Sequence, residues 1–150
     1  GIAWSYDLLE RQEQQMFRAL SVFIGNFTLE AAEQVLIEAL SIAGDDVLTG
    51  IASLIDKSLL RQAGDHDGQA DFAMLMTIRG FGLAELEASA DRDAVHRAHA
   101  NRMIALTEGA AGVFRHGGGA EQFVWFDVLE REGGNWRGAL SWLHEHGEAS

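Results

Sequence analysis

Apolar residues recur at intervals of three and four along the first third of the chain, which is the spacing of one buried helix face. The spacing predicts helices over residues 2–9 and 11–23, and a third helix for which Thr28 is the expected N-cap. A fourth helix is expected to begin at the acidic pair Asp45 and Asp46. Four short helices therefore precede the first change of periodicity.

The periodicity then changes, because two short extended runs at residues 59–63 and 71–75 flank a turn rich in glycine and aspartate at residues 64–68. Two such runs around a turn predict a β-hairpin. Helices followed by one hairpin are the layout of a winged helix, in which the hairpin is the wing and residues 46–57 occupy the position of the recognition helix. The sequence thus predicts a winged-helix domain over residues 1–89.

The remainder, residues 90–150, has helical periodicity only. Glycine-rich breaks at residues 117–119 and 133–134 divide it into three helices, and Asn135 is expected to cap the last of them. Antiparallel helices joined by short loops are typical of the first turns of an α-solenoid. The predicted fold class is therefore mainly α: a winged-helix domain with a small β-hairpin, followed by antiparallel helices resembling the start of a TPR-like α-solenoid.

Composition excludes several classes of function. The chain has 150 residues, no cysteine and a formal net charge of −12, from 23 acidic against 11 basic residues. The absence of cysteine rules out disulfides and thiolate metal sites. No apolar run approaches the ~20 residues that cross a bilayer, so no membrane partner is expected. No secretory signal opens the sequence, which favours a cytoplasmic location.

Charge also bears on direct DNA binding, the usual expectation for a winged helix. Between residues 45 and 75 the sequence carries six acids and two bases, Lys57 and Arg61. Phosphate backbones attract lysine and arginine and repel such a surface, and base edges are mostly read by arginine, asparagine and glutamine. The pattern therefore favours protein contacts over direct nucleic-acid binding.

Candidate catalytic and metal-binding groups are sparse. His96 and His99 lie three positions apart on a predicted helix, but a zinc site would need a third ligand, so packing or capping is the preferred interpretation. His144 and His146 are two positions apart and would point to different sides of a helix. Paired carboxylates fall on expected helix exteriors or in loops, without an apolar pocket that would raise a pKa. No catalytic residue, metal site or enzyme activity is predicted.

Five sequence blocks follow one another along nearly the whole chain: AWSYDLL, LSVFIGNFTLEAAEQV, LIDKSLL, FAMLMTIRGFGLAELEAS and LEREGGNWRGALSWL. In this order they resemble the region after the nucleotide-binding domain in bacterial STAND-type ATPase transcriptional regulators of the LuxR-type or AfsR-like kind. The resemblance implies a parent protein with a P-loop NTPase core, a winged helix and a helical-repeat sensor, of which this chain would hold the second part and the beginning of the third. Because the P-loop pattern is absent here, ATP or ADP is expected only on a separate domain.

The resemblance also marks the strand-to-helix junction that begins at Met74. In related ATPases of animal apoptosis and plant immunity this junction carries a Met-His-Asp motif, whose histidine contacts the β-phosphate of bound ADP. The matching residues here are Met74, Leu75 and Met76. Leu75 cannot donate a hydrogen bond, so the junction is interpreted as a packing hinge rather than a nucleotide sensor.

The predicted helix after the junction contains two glycines, which disfavour a helix. Thr77 is expected to be its N-cap. Gly80 and Gly82 follow, and each is expected to weaken the helix by about 1 kcal/mol relative to alanine.

The function implied is a non-catalytic regulatory module that relays the nucleotide state between the NTPase core and the sensor repeats; the alternative is a winged-helix DNA-binding domain of a transcription regulator. The partners expected are the NTPase domain and the helical repeats of the same protein. Aromatic residues near positions 136–143 further predict an apolar patch and self-association of the chain by itself. The candidate interdomain contacts are Asp46, Lys57, Met74, Leu75, Met76, Thr77, Arg79 and Phe81.

Overall fold

A computed structural model describes residues 1–66 and 68–146, without the side chains of His66 and Phe114. The chain forms two compact units, Gly1–Ala98 and His99–Ser150. The domain division at residues 89 and 90 stays a prediction.

The first unit consists of short helices around a small sheet, and its elements follow in the order α1 (Ile2–Asp7), α2 (Arg11–Leu20), β1 (Phe27–Thr28), α3 (Leu29–Leu40), α4 (Gly44–Asp56), β2 (Arg61–His66), β3 (Gln69–Ala73) and α5 (Met76–Glu87). The three strands are antiparallel in the order β1-β3-β2, with Phe27 opposite Phe72 and Arg61 opposite Ala73. Helices α2 to α4, the short strand β1 between them and the hairpin β2–β3 that follows form a winged helix. The predicted fold class, mainly helical with a small hairpin, is confirmed.

The hairpin is displaced from its predicted position. The first strand runs Arg61–His66 instead of 59–63, and the second runs Gln69–Ala73 instead of 71–75. The apolar pair that suggested the earlier start, Leu59 and Leu60, is buried in the core ahead of the strand. Gly64 lies within β2 at φ +120°, where the pairing register with β3 is irregular, so it serves a bulge and not the turn.

In the first unit, helix caps agree with the prediction at one position and differ at two. Thr28 caps α3, and its hydroxyl accepts a hydrogen bond from the amide of Ala31. Helix α4 begins at Gly44, one residue before Asp45. Asp45 and Asp46 therefore lie in its first turn, where their negative charges interact favourably with the helix dipole. Helix α5 begins at Met76, ahead of the expected cap, and no side chain caps it.

The core of the first unit lies between α2, α3 and α4. Phe17, Leu36 and Leu54 have no exposed surface, and burying each such side chain contributes about 1.5–3 kcal/mol to folding. Helix α5 packs on the other side of α2. There the ring of Phe81 lies 5.4 Å from the ring of Tyr6, centroid to centroid.

Two glycines allow helices to approach α2 closely. A Cβ on Gly50 of α4 would overlap the Sδ and Cε atoms of Met16. A Cβ on Gly82 of α5 would lie 2.8 Å from the Cβ of Ser21. The glycine that looks unfavourable in the sequence of α5 is therefore required by packing, whereas Gly80 has open space around it.

The second unit comprises the C-terminal part of α6 (Arg92–His116), followed by α7 (Gly119–Arg131) and α8 (Gly133–Glu145). Its small core contains Met103, Ala139 and Trp142. Asn135 does not cap α8; it lies inside the helix and is buried. The expected apolar patch is also displaced, because Trp142 is buried while the largest apolar exposures of the described second unit lie on α7, at Phe123, Val124 and Phe126.

Candidate interaction surface

The residues predicted as contacts lie in three places within the first unit. Asp46 and Lys57 are at opposite ends of α4 and line one cavity with residues of α2. Met74 to Arg79 form the passage from β3 into α5. Phe81 is only half-buried, but its ring faces Tyr6 and Phe17 and so serves packing inside the unit.

The exposed face of α4 has none of the side chains that usually read DNA. The solvent-facing residues within the helix are Asp45, Asp46, Leu48, Thr49, Ala52 and Asp56. Recognition helices contact base edges mainly through arginine, lysine, asparagine and glutamine. Three carboxylates and a leucine that is 54% exposed are the opposite of such a surface.

Lys57, the only lysine of the sequence, is held by neighbouring side chains. Its Nζ lies 3.0 Å from Oε2 of Glu13 and 2.9 Å from the hydroxyl of Ser53. The same carboxylate accepts hydrogen bonds from the Ser53 hydroxyl and from the amide of Glu10. The one cation at the end of α4 thus joins α4 to α2.

These contacts shift the ionisation of Glu13. Burial disfavours its charged form, but the hydrogen bonds from Ser53 and Glu10 and the nearby Lys57 ammonium outweigh that effect and lower the pKa of Glu13 below its ordinary value of 4.5. The carboxylate therefore stays ionised in the folded chain, and the cavity that it lines with Asp46, about 270 Å³ in volume, is acidic.

The junction between β3 and α5 exposes apolar side chains. Met74 is partly buried and packs on the core of the first unit. Leu75 is 56% exposed and Met76 is 84% exposed, although both are large and apolar. Thr77 is exposed as well. The three positions that match the Met-His-Asp motif are therefore one packing residue and two residues open to solvent.

Arg79 lies in the first turn of α5 and is half-buried. Its Nε donates a hydrogen bond to the carbonyl oxygen of Phe23, at 2.7 Å. Burial lowers the pKa of Arg79, and no carboxylate in the described part of the chain forms an ion pair with it. This contact joins α5 to the segment after α2 and was not visible in the sequence, because the two residues lie 56 positions apart.

Two further residues belong to the same surface and were missed. Ile24, which is 39% exposed, and Arg61 line a cavity of about 240 Å³ together with Met76 and Arg79. Arg61 also lines an adjoining cavity of about 350 Å³, whose wall includes Leu75. We call these five residues, Ile24, Arg61, Leu75, Met76 and Arg79, the junction surface.

His96 and His99 each have a protein partner. Nε2 of His96 lies 2.8 Å from Oε2 of Glu87, and Nε2 of His99 lies 3.1 Å from Oδ1 of Asn135. Among the described residues, no three histidine, aspartate or glutamate side chains come together in a geometry that could hold a metal ion. None of the helices in residues 1–66 and 68–146 combines the length and apolarity needed to span a membrane.

Comparison with known proteins agrees with the fold. A family model described as the winged helix-turn-helix domain matches residues 9–87. Proteins of Mycobacterium bovis and Mycobacterium tuberculosis, provisionally named HTH-type transcriptional regulators, are 34% identical over 152 aligned positions that cover 98% of this chain. An uncharacterized protein of Mycobacterium tuberculosis is 28% identical over 118 positions, which cover 77% of this chain and 30% of the relative.

The mycobacterial regulators are much longer than this chain, which spans 16% of their length. No solved structure matches the chain. The family model covers more than half of the sequence and spans α2 to α5 with the hairpin. The chain therefore belongs to the winged helix-turn-helix domain family.

Proposed function

We propose that this chain is a non-catalytic regulatory module of a larger transcriptional regulator and that it acts through protein contacts. The observation that carries the proposal is the exposed face of α4, which bears Asp45, Asp46 and Asp56 and whose adjacent lysine is paired with Glu13. A surface that must neutralise phosphates needs free cations at this position. The named relatives support a regulatory role.

In the finer form of the proposal, the parent protein is a STAND-type ATPase and the chain relays its nucleotide state to helical sensor repeats. ATP or ADP would bind the NTPase domain, and the protein would be cytoplasmic. The winged helix would pack on that domain more tightly in one nucleotide state than in the other. Coupling of this kind requires contacts that differ between the two states, and the junction surface supplies exposed apolar area for them.

A titration with nucleic acid tests the coarse proposal against its alternative, a winged helix that binds DNA. The chain is titrated into labelled duplex DNA of random sequence at low salt, and fluorescence anisotropy is recorded. We expect no binding at micromolar protein. Micromolar affinity that falls steeply with added salt would establish the DNA-binding alternative, since counterion release gives that dependence.

A second titration tests the relay. The nucleotide-binding segment of the parent protein is purified in the presence of ADP or of a non-hydrolysable ATP analogue, and its affinity for the chain is measured by calorimetry. We expect affinities that differ by about 5- to 150-fold between the two nucleotides, the range typical of allosteric coupling. Equal affinities, or no binding with either nucleotide, would refute the relay.

A further inference from the structure

The charge of the junction surface is opposite to that of the chain as a whole. Acids outnumber bases by 23 to 11 in the sequence. The two cavities that meet at Arg61 are nevertheless lined, among the described residues, by two arginines and no carboxylate. The first turn of α5, in which Arg79 lies, contains no acidic residue either. This surface is therefore a basic patch on an acidic protein.

The guanidinium of Arg79 keeps donors that a ligand can use, because none of its nitrogens is among the buried, unpartnered atoms of the described chain and its other N–H groups therefore reach solvent. It has five N–H donors, and the bond to the carbonyl oxygen of Phe23 uses one of them. A neutral carbonyl compensates a half-buried cation less well than a carboxylate does. Arg61, the second cation of the basic patch, is exposed at the start of β2. Arg61 and Arg79 line one cavity, and guanidinium groups bind planar carboxylates through paired hydrogen bonds.

Apolar side chains surround this charge. Leu75 and Met76 are each more than half exposed, and Ile24 lines the same cavity as Arg79. A free inorganic anion would leave these side chains in water. Duplex DNA would need several phosphate contacts, whereas these two cavities offer two cations.

We propose that the junction surface docks an acidic segment of a protein partner, in which an aspartate or glutamate binds Arg61 and Arg79 and neighbouring apolar side chains cover Leu75 and Met76. The proposal rests on the function proposed above and names the chemistry of the contact. It also assigns Arg61 and Ile24 to the contact, in addition to the residues of the junction.

A selection from a random peptide library tests the proposal without assuming the partner. Displayed peptides are selected on the full 150-residue chain, and bound peptides are then measured against Arg61→Gln, Arg79→Gln and Met76→Gln. Arg11→Gln is the matched control, because it removes an exposed arginine of α2 that lines neither cavity. Circular dichroism verifies that each variant is folded. Arg61 and Met76 are exposed, so their variants keep the test decisive if Arg79→Gln does not fold.

We expect the selected peptides to share an aspartate or glutamate beside apolar residues. Arg61→Gln and Arg79→Gln should each weaken their binding about tenfold, and Met76→Gln should weaken it as well, whereas Arg11→Gln should not. The proposal is overturned if no peptide binds, if the selected peptides lack acids, or if Arg61→Gln and Met76→Gln bind them as the unaltered chain does. Displacement of the peptides by millimolar inorganic phosphate would also overturn it, by identifying a simple anion site.

The peptide experiment and the relay experiment can fail independently of each other. If acidic peptides bind but the nucleotide-binding segment does not, the relay fails and the docking chemistry stands. If the segment binds in a nucleotide-dependent way that Arg61→Gln and Met76→Gln leave unchanged, the relay stands and this assignment of the surface fails.

Discussion

Nε2 of His99 lies 3.1 Å from Oδ1 of Asn135, and both side chains are buried in the second unit. The amide nitrogen of Asn135 donates to Oε1 of Glu132 at 2.9 Å, which fixes the orientation of the amide. Its oxygen must then accept from His99, so His99 carries a hydrogen on Nε2. This pair joins α6 to α8.

Replacing Asn135 with alanine should destabilise the second unit. The change removes the acceptor of His99 and leaves a buried N–H without that partner, which costs about 1–3 kcal/mol of unfolding free energy. Urea denaturation monitored by tryptophan fluorescence measures the loss. Ser141→Ala, at an exposed position of the same helix, is the control and should change the free energy by less than about 0.5 kcal/mol. Equal effects of the two variants would contradict the role of the pair.

Replacing Glu13 with glutamine should change how stability depends on pH. The pKa of Glu13 is lowered in the folded chain, so its ionised form contributes stability above the ordinary value of 4.5, and that contribution is lost as pH falls through the folded pKa. The variant should be less stable than the unaltered chain at pH 7 by about 1 kcal/mol. It should also lose less stability when the pH falls below 4.5. Urea midpoints at a series of pH values test this.

The control for the Glu13 experiment is Glu85→Gln, which removes a partly exposed carboxylate of α5. Its pH profile is the reference for the removal of one negative charge. If Glu13→Gln follows that profile, the contacts with Ser53 and Lys57 do not stabilise the carboxylate.

Replacing Gly82 with alanine should destabilise the first unit although alanine favours helices. The new Cβ would lie 2.8 Å from the Cβ of Ser21, which is buried and cannot move without its backbone, and overpacking of a core costs about 1–3 kcal/mol. Gly80→Ala is the matched change in open space on the same helix, and it should stabilise the chain by up to about 1 kcal/mol. Thermal unfolding of both variants separates packing from propensity, and a stabilising Gly82→Ala would show that α5 does not approach the end of α2 as described.

Replacing Phe123 with serine should reduce self-association. Phe123 is 77% exposed on α7, and Val124 beside it is 59% exposed, so this helix offers apolar area to a second copy. Sedimentation velocity over a range of concentrations measures the effect. Leu140→Ser, on α8 where the sequence predicted the patch, should have the smaller effect because that side chain is only 46% exposed. A larger effect of Leu140→Ser would return the patch to its predicted place.

The helices of the first unit were predictable because their apolar spacing is local information. Met16, Phe17 and Leu20 lie on one face of α2 and are all buried, as their spacing implies. The hairpin register was not predictable, because Leu59 and Leu60 look like the start of a strand and their burial depends on residues distant in sequence. Thr28 could be recognised as a cap from its neighbours alone.

Less of the candidate site than of the fold could be predicted from the sequence. Asn135 resembled a helix cap, but its partners His99 and Glu132 place it inside α8. Arg79 was selected by its position in the junction, whereas its contact with Phe23 and its common cavity with Arg61 arise only when α5 packs against α2. Side-chain exposure at Met76 likewise depends on tertiary structure.

Lys57 is the one lysine of the sequence and is paired with Glu13, so a label on its amine reports on a defined contact. An acylating reagent meets one side-chain amine, and that amine lies at the contact between two helices. Its rate of modification, relative to the N-terminal amine, therefore reports whether α4 still rests on α2. Mass spectrometry of the acylated chain would show faster modification of Lys57 when a partner loosens the contact and slower modification when a partner protects it.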